Sequence, residues 1–338
     1  MAIRLKDIAA DVGVSTITVS KVLRNKPDVG EETRKRVLQR AKELNYRPNL
    51  LARGLASGRS NTVGLIVPDL VHTFFAEFAK GLKAGLRKRG YQLVLASAEE
   101  EPEMESEEIE NLLARGVDAL LLASCQTKLA GLRSLVESHV PYVLIDRVLA
   151  KLPTHFVGTD DFGAGSMATE HLISLKRRRI AHIGNPEVST GADRFRGYQE
   201  ALRLAGIPLM QNLIVHCSRF EESGDKVGYR AMAALLKSKK HPDAVFCYND
   251  LSAVGAIKRI LETGLSVPQD IAVIGCGNLR LATYLEVPLS SVDQDTTELG
   301  EQAARLTASL LSGASSPGFR EIRVEPKVIA RASTIGKA

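Results

Sequence analysis

The chain is poor in the features of secreted, membrane-bound or metal-dependent proteins. Cysteine is scarce: Cys125, Cys217, Cys247 and Cys276 are widely scattered, with no C-x-x-C pair. That spacing argues for reduced, structural thiols and against a disulfide frame or a zinc site. No apolar run approaches the ~20 residues of a membrane span. The start, MAIRLKDIAA, has neither an apolar core nor a small-residue cleavage site, so no secretory leader is expected and the setting reads as cytoplasmic. Catalytic patterns are missing too. GLIVPD and VIGCGN at strand ends carry neither G-x-G-x-x-G nor P-loop spacing, and no serine lies in a G-x-S-x-G elbow. His171 and His182 are not spaced as paired metal ligands on one helix. Neither an enzyme nor a bound cofactor or metal is expected.

Charge is present but unevenly placed. Residues 1–60 hold 13 Lys+Arg against 6 Asp+Glu, whereas the remaining 278 hold 32 against 33. The whole basic excess lies at the N-terminus, where a nucleic-acid partner would be met. There, Ile8, Ala9 and Val12 recur at helical spacing, Gly13 supplies a turn, and Ser15 is a suitable cap for a helix running to Leu23. Val19, Val22 and Leu23 share one face of that helix. Ile17 and Lys21 centre the opposite face, flanked by Thr16 and Ser20. A third helix over EETRKRVLQRAKELN puts Val37, Leu38, Ala41 and Leu44 on one stripe. Three short helices around one small core, with a tight turn between the first two, make a helix-turn-helix unit. The second helix of such a unit enters the major groove. Thr16 can exchange hydrogen bonds with base edges, Ile17 can pack on a thymine methyl, and Lys21 can reach guanine acceptors. Arg34 is expected on phosphate.

The stretch from RLKDIAADVGVSTITVSKVL through NYRPNLLARGLASGRSNTVGLIVPD resembles the opening of a LacI/GalR-family transcriptional regulator. The resemblance implies base contacts from the positions of Thr16, Ile17 and Lys21, and Ser15 and Ser20 are also expected in the DNA-binding surface. Lys21 stands where the family more often has arginine, so a point charge replaces a bidentate fork. It also implies a hinge over residues 48–61 in which Asn49, Ala52, Arg53 and Leu55 meet DNA. Leu55 would enter the minor groove as an apolar wedge, and Gly54 would keep the hinge unfolded until DNA and a second subunit order it.

From Thr62 onward, short apolar runs (TVGLIVP, YQLVLAS, VDALLLAS, PYVLID, RIAHIG, LIVHC, DAVFCYN, IAVIGCG) alternate with helical stretches. Runs of this kind read as buried parallel strands in a doubly wound α/β arrangement. The repeats are too many for one small sheet, so two lobes with a ligand cleft are expected. The fold class is thus α/β: an N-terminal all-α helix-turn-helix domain plus a two-lobed, periplasmic-binding-protein-like domain of doubly wound parallel sheets. The expected domains are 1–47, a hinge at 48–61, and an effector-binding and dimerisation domain at 62–338. The resemblance places crossovers near residues 160, 290 and 320, with EIRVEPKVIARAST as a last strand in the second lobe.

Strand ends, where open α/β sheets bind ligands, and the family resemblance together give the candidate cleft residues: Phe74, Phe75 and Asn249 at strand ends, Gln294 at a predicted crossover, and His72, Arg194, Phe220 and Gly277 at positions the resemblance implies. Phe74 and Phe75 could stack on a sugar or base, or belong to the core. Arg194 occupies the position of the family's effector-contacting arginine; the plain alternative is a surface ion pair. Asp250 beside Asn249 suits a helix cap. His72 and Thr73 replace the family's usual Asn-Pro. Gly277 stands where sugar-binding members carry aspartate, so either the effector lacks that hydroxyl pair or Asn278 or a water substitutes. The function expected is a DNA-binding regulator, a repressor acting as a homodimer on a near-palindromic operator, with a small carbohydrate-like effector in the cleft. A regulator without effector control and a solute-binding receptor are the rival readings.

Overall fold

The computed structural model describes residues 3–23, 25–46, 58–149, 152–217, 224–238, 240–313 and 318–336. The chain forms two compact units, Met1–Ser60 and Asn61–Ala338.

The first unit holds α1 (Leu5–Val12), α2 (Thr16–Leu23) and α3 (Glu31–Glu43). Gly13 ends α1 in the left-handed region at φ 69°, a conformation that larger residues resist. Ser15 Oγ then accepts the Thr18 N–H at 3.1 Å, satisfying an orphan donor at the start of α2. Ile8, Val19 and Val37, one from each helix, are fully buried, with Ala9, Val12, Val22 and Ala41 around them. Leu38 departs from expectation: it is 47% exposed. Stepping 100° per residue from Val37 carries it to the margin of the stripe that Val37 and Ala41 define.

The second unit is built on two six-stranded sheets. The first has the order β11-β5-β4-β3-β1-β2, with β1 (Thr62–Val67), β2 (Gln92–Ser97), β3 (Ala119–Leu122), β4 (Tyr142–Ile145), β5 (His155–Thr159) and β11 (Glu321–Val324). The second runs β12-β10-β9-β8-β6-β7, with β6 (Ile180–Gly184), β7 (Ile214–His216), β8 (Ala244–Cys247), β9 (Ala272–Cys276), β10 (Ser290–Asp293) and β12 (Lys327–Ile329). All pairings are parallel except β10 with β12. β3, β6, β8 and β9 are buried along their whole length, as expected of strands covered by helices on both faces. The covering helices are α4 (Thr73–Lys88), α5 (Pro102–Ala114), α6 (Arg133–Glu137), α7 (Asp161–Ser174), α8 (Ser189–Leu204), α9 (Gly224–Leu235), α10 (Asp250–Glu262) and α11 (Thr296–Leu311), followed by the short α12 (Ala332–Ile335).

The chain leaves the first sheet after Thr159 and returns after Asp293, because α11 contributes Leu299, Ala303, Ala304 and Leu306 to the core on α4. EIRVEPKVIARAST is not one strand of the second lobe. Its first part, β11, pairs with β5 in the first sheet, and only β12 joins the second. The intervening Glu325-Pro326 carries the third crossing; proline has no N–H to continue a ladder.

Each sheet is sandwiched between two apolar clusters. Leu279, from the loop after β9, lies 1% exposed within the first lobe's cluster, and Leu251 packs against it from α10. The Val148 N–H also donates to Ser189 Oγ across the lobes at 2.9 Å. The lobes are closed on one another.

Candidate functional site

Two sites emerge, one on each unit. On the first, α2 turns Val19 and Val22 inward and leaves Thr16, Ile17 and Lys21 exposed, with Ser20 half-buried. Ile17 is 68% exposed. An open groove of about 690 Å³ is lined by Leu5, Thr16, Ile17, Ser20, Lys21, Lys26, Pro27 and Asp28. Ser15, the expected cap of α2, accepts the Thr18 N–H and lies 2.9 Å from Thr18 Oγ1.

Several of the cations are committed within the unit. Lys21 Nζ donates to Asp28 Oδ2 at 2.5 Å, and this hydrogen bond holds the Asp28 carboxyl below its usual range. Arg36 donates to the Val12 carbonyl at 2.6 Å, and Arg40 Nε to Asp11 at 2.7 Å. Arg34, expected on phosphate, donates to Asn25 Oδ1 at 2.8 Å and to the Lys26 carbonyl. It ties the loop after α2 to α3. The hinge residues Asn49, Ala52, Arg53 and Leu55 lie outside the described residues.

On the second unit, strand ends from both sheets meet at a cleft of about 100 Å³. It is lined by Asp69, His72, Phe74, Phe75, Glu100, Asp146, Arg147, Val188, Thr190, Arg194, Tyr248, Asn249, Cys276 and Gln294. Six of the eight expected residues are therefore brought together. Phe220 lies outside the described residues, and Gly277 does not line the cleft.

Phe74 and Phe75 belong to the core and also border the cleft. Each is 4% exposed. Their rings meet edge to face at 5.1 Å, with the His72 ring 5.7 Å from Phe75. His72 Nδ1 is buried without a hydrogen-bond partner. Desolvation, with Arg147 and Arg194 nearby, lowers the His72 pKa to about 4, so the ring is neutral at pH 7.

Arg194 forms no surface pair. Nε and Nη2 clamp Asp161 at 2.8 and 2.7 Å, Nη1 donates to the Tyr248 carbonyl at 2.6 Å, and both side chains are almost wholly buried. Asn249, not Asp250, caps the helix, while still lining the cleft. Asn249 Oδ1 caps α10 by accepting the Ser252 N–H at 2.8 Å, leaving its amide NH₂ for the cleft. Asp250 instead accepts from Ser291 Oγ at 2.6 Å and from the Leu279 N–H at 2.8 Å. It thereby holds the loop that carries Leu279 into the first lobe. Gln294 is 2% exposed and donates to Thr159 Oγ1 at 3.1 Å, joining two of the crossing segments.

Gly277 has φ +130°, and a Cβ there would sit 3.7 Å from Asp250 Oδ2 and from Leu279. The loop is built for glycine, whose missing Cβ makes that backbone accessible. Asn278 is no substitute ligand: its Oδ1 accepts from Arg331 at 2.6 Å and its N–H donates to Ser291. Glu100, Asp146 and Arg147 were missed. Arg147 forks onto Glu100 with bonds of 2.9 and 2.7 Å. The signal was present as the Asp-Arg pair closing the run PYVLID at a strand end.

The N-terminal residues 4–49 match the model of the bacterial regulatory proteins of the lacI family, and residues 169–334 match a periplasmic binding protein-like domain. The chain is 34% identical to the HTH-type transcriptional repressor PurR of Klebsiella pneumoniae (strain 342) over 97% of its own length and 96% of the relative's. The chain belongs to the LacI family. Among solved structures, this LacI-family chain is similar to a transcriptional regulator CelR–cellobiose complex at 32% identity and a TM-score of 0.73, covering 98% and 99% of the two chains. The Lac repressor dimer bound to operator and the anti-inducer ONPF shares the fold, with a TM-score of 0.86 at 24% identity over 99% of each chain. Among the described residues no helix is long and apolar enough to cross a membrane.

Proposed function

We propose that this LacI-family chain is a cytoplasmic transcriptional repressor. It binds a near-palindromic operator as a homodimer and responds to a small carbohydrate-like effector between its lobes. The observation that carries the DNA-binding reading is Ile17, 68% exposed on a helix whose other face forms the core of a basic unit. Thr16, Ile17, Ser20 and Lys21 read bases, with Ser15 as their cap. Asn49, Ala52, Arg53 and Leu55 follow into the minor groove.

The surface for a second copy lies on the second lobe. Val254, Ile257, Leu261, Leu285 and Val287 line an apolar groove edged by Lys258, Glu262 and Glu286, and Tyr284 nearby is 83% exposed. The rim carries both signs of charge, so a two-fold related copy can pair Lys258 with an acidic neighbour.

A carbohydrate or derivative is the effector class supported by the cleft's aromatic floor and convergent polar groups, and by the cellobiose bound to the CelR relative. Such a ligand controls DNA binding only through different affinities for the two lobe arrangements.

Selection of genomic fragments by the purified protein, followed by footprinting, tests the DNA-binding reading. Ile17→Ala should cost operator binding about tenfold, roughly 1–3 kcal/mol per base contact, while leaving random duplex unchanged. Equal losses on both would remove Ile17 as a reader.

A further inference from the structure

Little space is left between the closed lobes. The cleft holds about 100 Å³, room for about three waters and too little for a sugar ring. Its charges answer one another. Arg147 is clamped by Glu100 at 2.9 and 2.7 Å, and Arg194 by Asp161 at 2.8 and 2.7 Å and by the Tyr248 carbonyl at 2.6 Å. Burial pushes the Asp146 carboxyl up, and the charges of Arg194 and Arg147 oppose that rise. Asp146 follows β4 in the first lobe and Arg194 lies on α8 in the second, so this attraction spans the cleft. None of these charges needs a ligand for its balance.

The protein also supplies the contact that closes the lobes. After β9 the backbone turns through two residues of positive φ, Gly277 at +130° and Asn278 at +48°. Such conformations persist only where the surroundings over-determine them, and here they do. Asp250 accepts from the Leu279 N–H at 2.8 Å and from Ser291 Oγ at 2.6 Å, while Arg331 donates to Asn278 Oδ1 at 2.6 Å. Every one of these supports belongs to the second lobe. Leu279 is thereby held out from its own lobe. It lies 1% exposed in the apolar cluster of the first, against which Leu251 also packs. The Val148 N–H on Ser189 Oγ, at 2.9 Å, is a second tie between the lobes.

We propose that the cleft is a gated site: the loop after β9 latches the lobes shut without a ligand, and a small molecule reaches the cleft only when Leu279 leaves the first lobe. This goes beyond reading the cleft as an effector site, because closure is assigned to the chain rather than to what it binds. A ligand then draws only on the fraction of molecules whose latch is open, and its apparent affinity falls by that fraction.

Cys276 reports the gate. It lines the cleft at 2% exposed, and burial pushes its thiol up to about 12. Opening hydrates the thiol and lets its thiolate react. Cys247, fully buried in the second lobe's own core, reports unfolding instead. The ligand-free, full-length protein is treated with iodoacetamide at mildly alkaline pH, and each cysteine is followed by peptide mass. Cys276 should react at least about a hundredfold more slowly than in the urea-unfolded chain. Leu279→Ala should speed it by about tenfold or more and leave Cys247 unchanged. Where that variant does not fold, Ser189→Ala, which deletes only the acceptor for Val148, should speed it about threefold. Reaction of Cys276 in the parent at the unfolded rate, equal acceleration of Cys276 and Cys247 in Leu279→Ala, or no acceleration in either variant overturns the latch. Operator selection is scored separately: a protein that reacts as expected but selects no DNA keeps the latch and loses only the repressor reading.

Discussion

Ile17 and Lys21 stand one turn apart on α2 but under different conditions. Ile17 has nothing to give up before meeting DNA, whereas Lys21 must first part from Asp28. Asp28→Asn should therefore raise affinity for the operator several-fold, with a smaller gain on random duplex, because the freed Lys21 reads a base. Titrations on both duplexes would show it; an equal gain on both would mean that Lys21 meets phosphate rather than a base. In the second lobe, His182 is 1% exposed, packed 5.0–5.3 Å from the rings of Phe195, Tyr198 and Phe246, and both its nitrogens lack partners. Replacing it by phenylalanine removes buried, unsatisfied polar atoms and should stabilise the fold by about 1–3 kcal/mol. Unfolded, His182 gains a proton near pH 6.5, but burial keeps the folded ring neutral down to about 3. The parent is thus penalised progressively as pH falls between those values. The advantage of His182→Phe should grow over that window, as urea unfolding at pH 7, 5.5 and 4 would reveal; a constant difference would contradict it.

The elements are held at their ends by single side chains. Ser15 caps α2 and Asn249 caps α10, while Arg34 ties the loop after α2 to α3. Because α2 has only eight residues, it is too short to persist by propensity and depends on its cap and its two buried valines. Ser15→Ala should cost about 1 kcal/mol. Amide exchange in α2 should then quicken roughly fivefold, with the exchange of α10 unchanged as an internal control. The cap of α2 was legible in sequence because serine before an apolar-periodic run has few other uses. The choice between Asn249 and Asp250 was not, since adjacent residues with equal capping chemistry are separated only by what faces them. Here Ser291 and the Leu279 amide took Asp250. Arg34 shows the same gap: its charge was visible, but its commitment to Asn25 required the folded loop.

At the scale of the whole second unit, the described groups that join the lobes include Leu279 and Leu251 against the first lobe's core, Val148 on Ser189, and Gln294 on Thr159. Leu279→Ala removes a side chain only 1% exposed and should cost about 2–5 kcal/mol. Part of that loss should appear as a larger radius of gyration in small-angle scattering, from lobes that part more readily. Lower stability with unchanged dimensions would mean that Leu279 fills the core without latching the lobes.

The order of elements, the helix-turn-helix and the alternation of buried strands follow from the sequence alone. They depend on local periodicity and turn chemistry, which neighbouring residues specify. Six of the eight expected cleft residues were legible for a related reason: in doubly wound sheets, strand ends converge wherever the chain places them. Only the tertiary structure decided which charges cancel. Glu100 and Arg147 are 47 residues apart, and Asp161 and Arg194 are 33 apart. No local pattern says that these arginines are already committed to carboxylates on other elements. The division of the last segment between two sheets was likewise settled by pairing partners far away in the chain. An electrostatic balance belongs to positions in space, and those exist only once the lobes have closed.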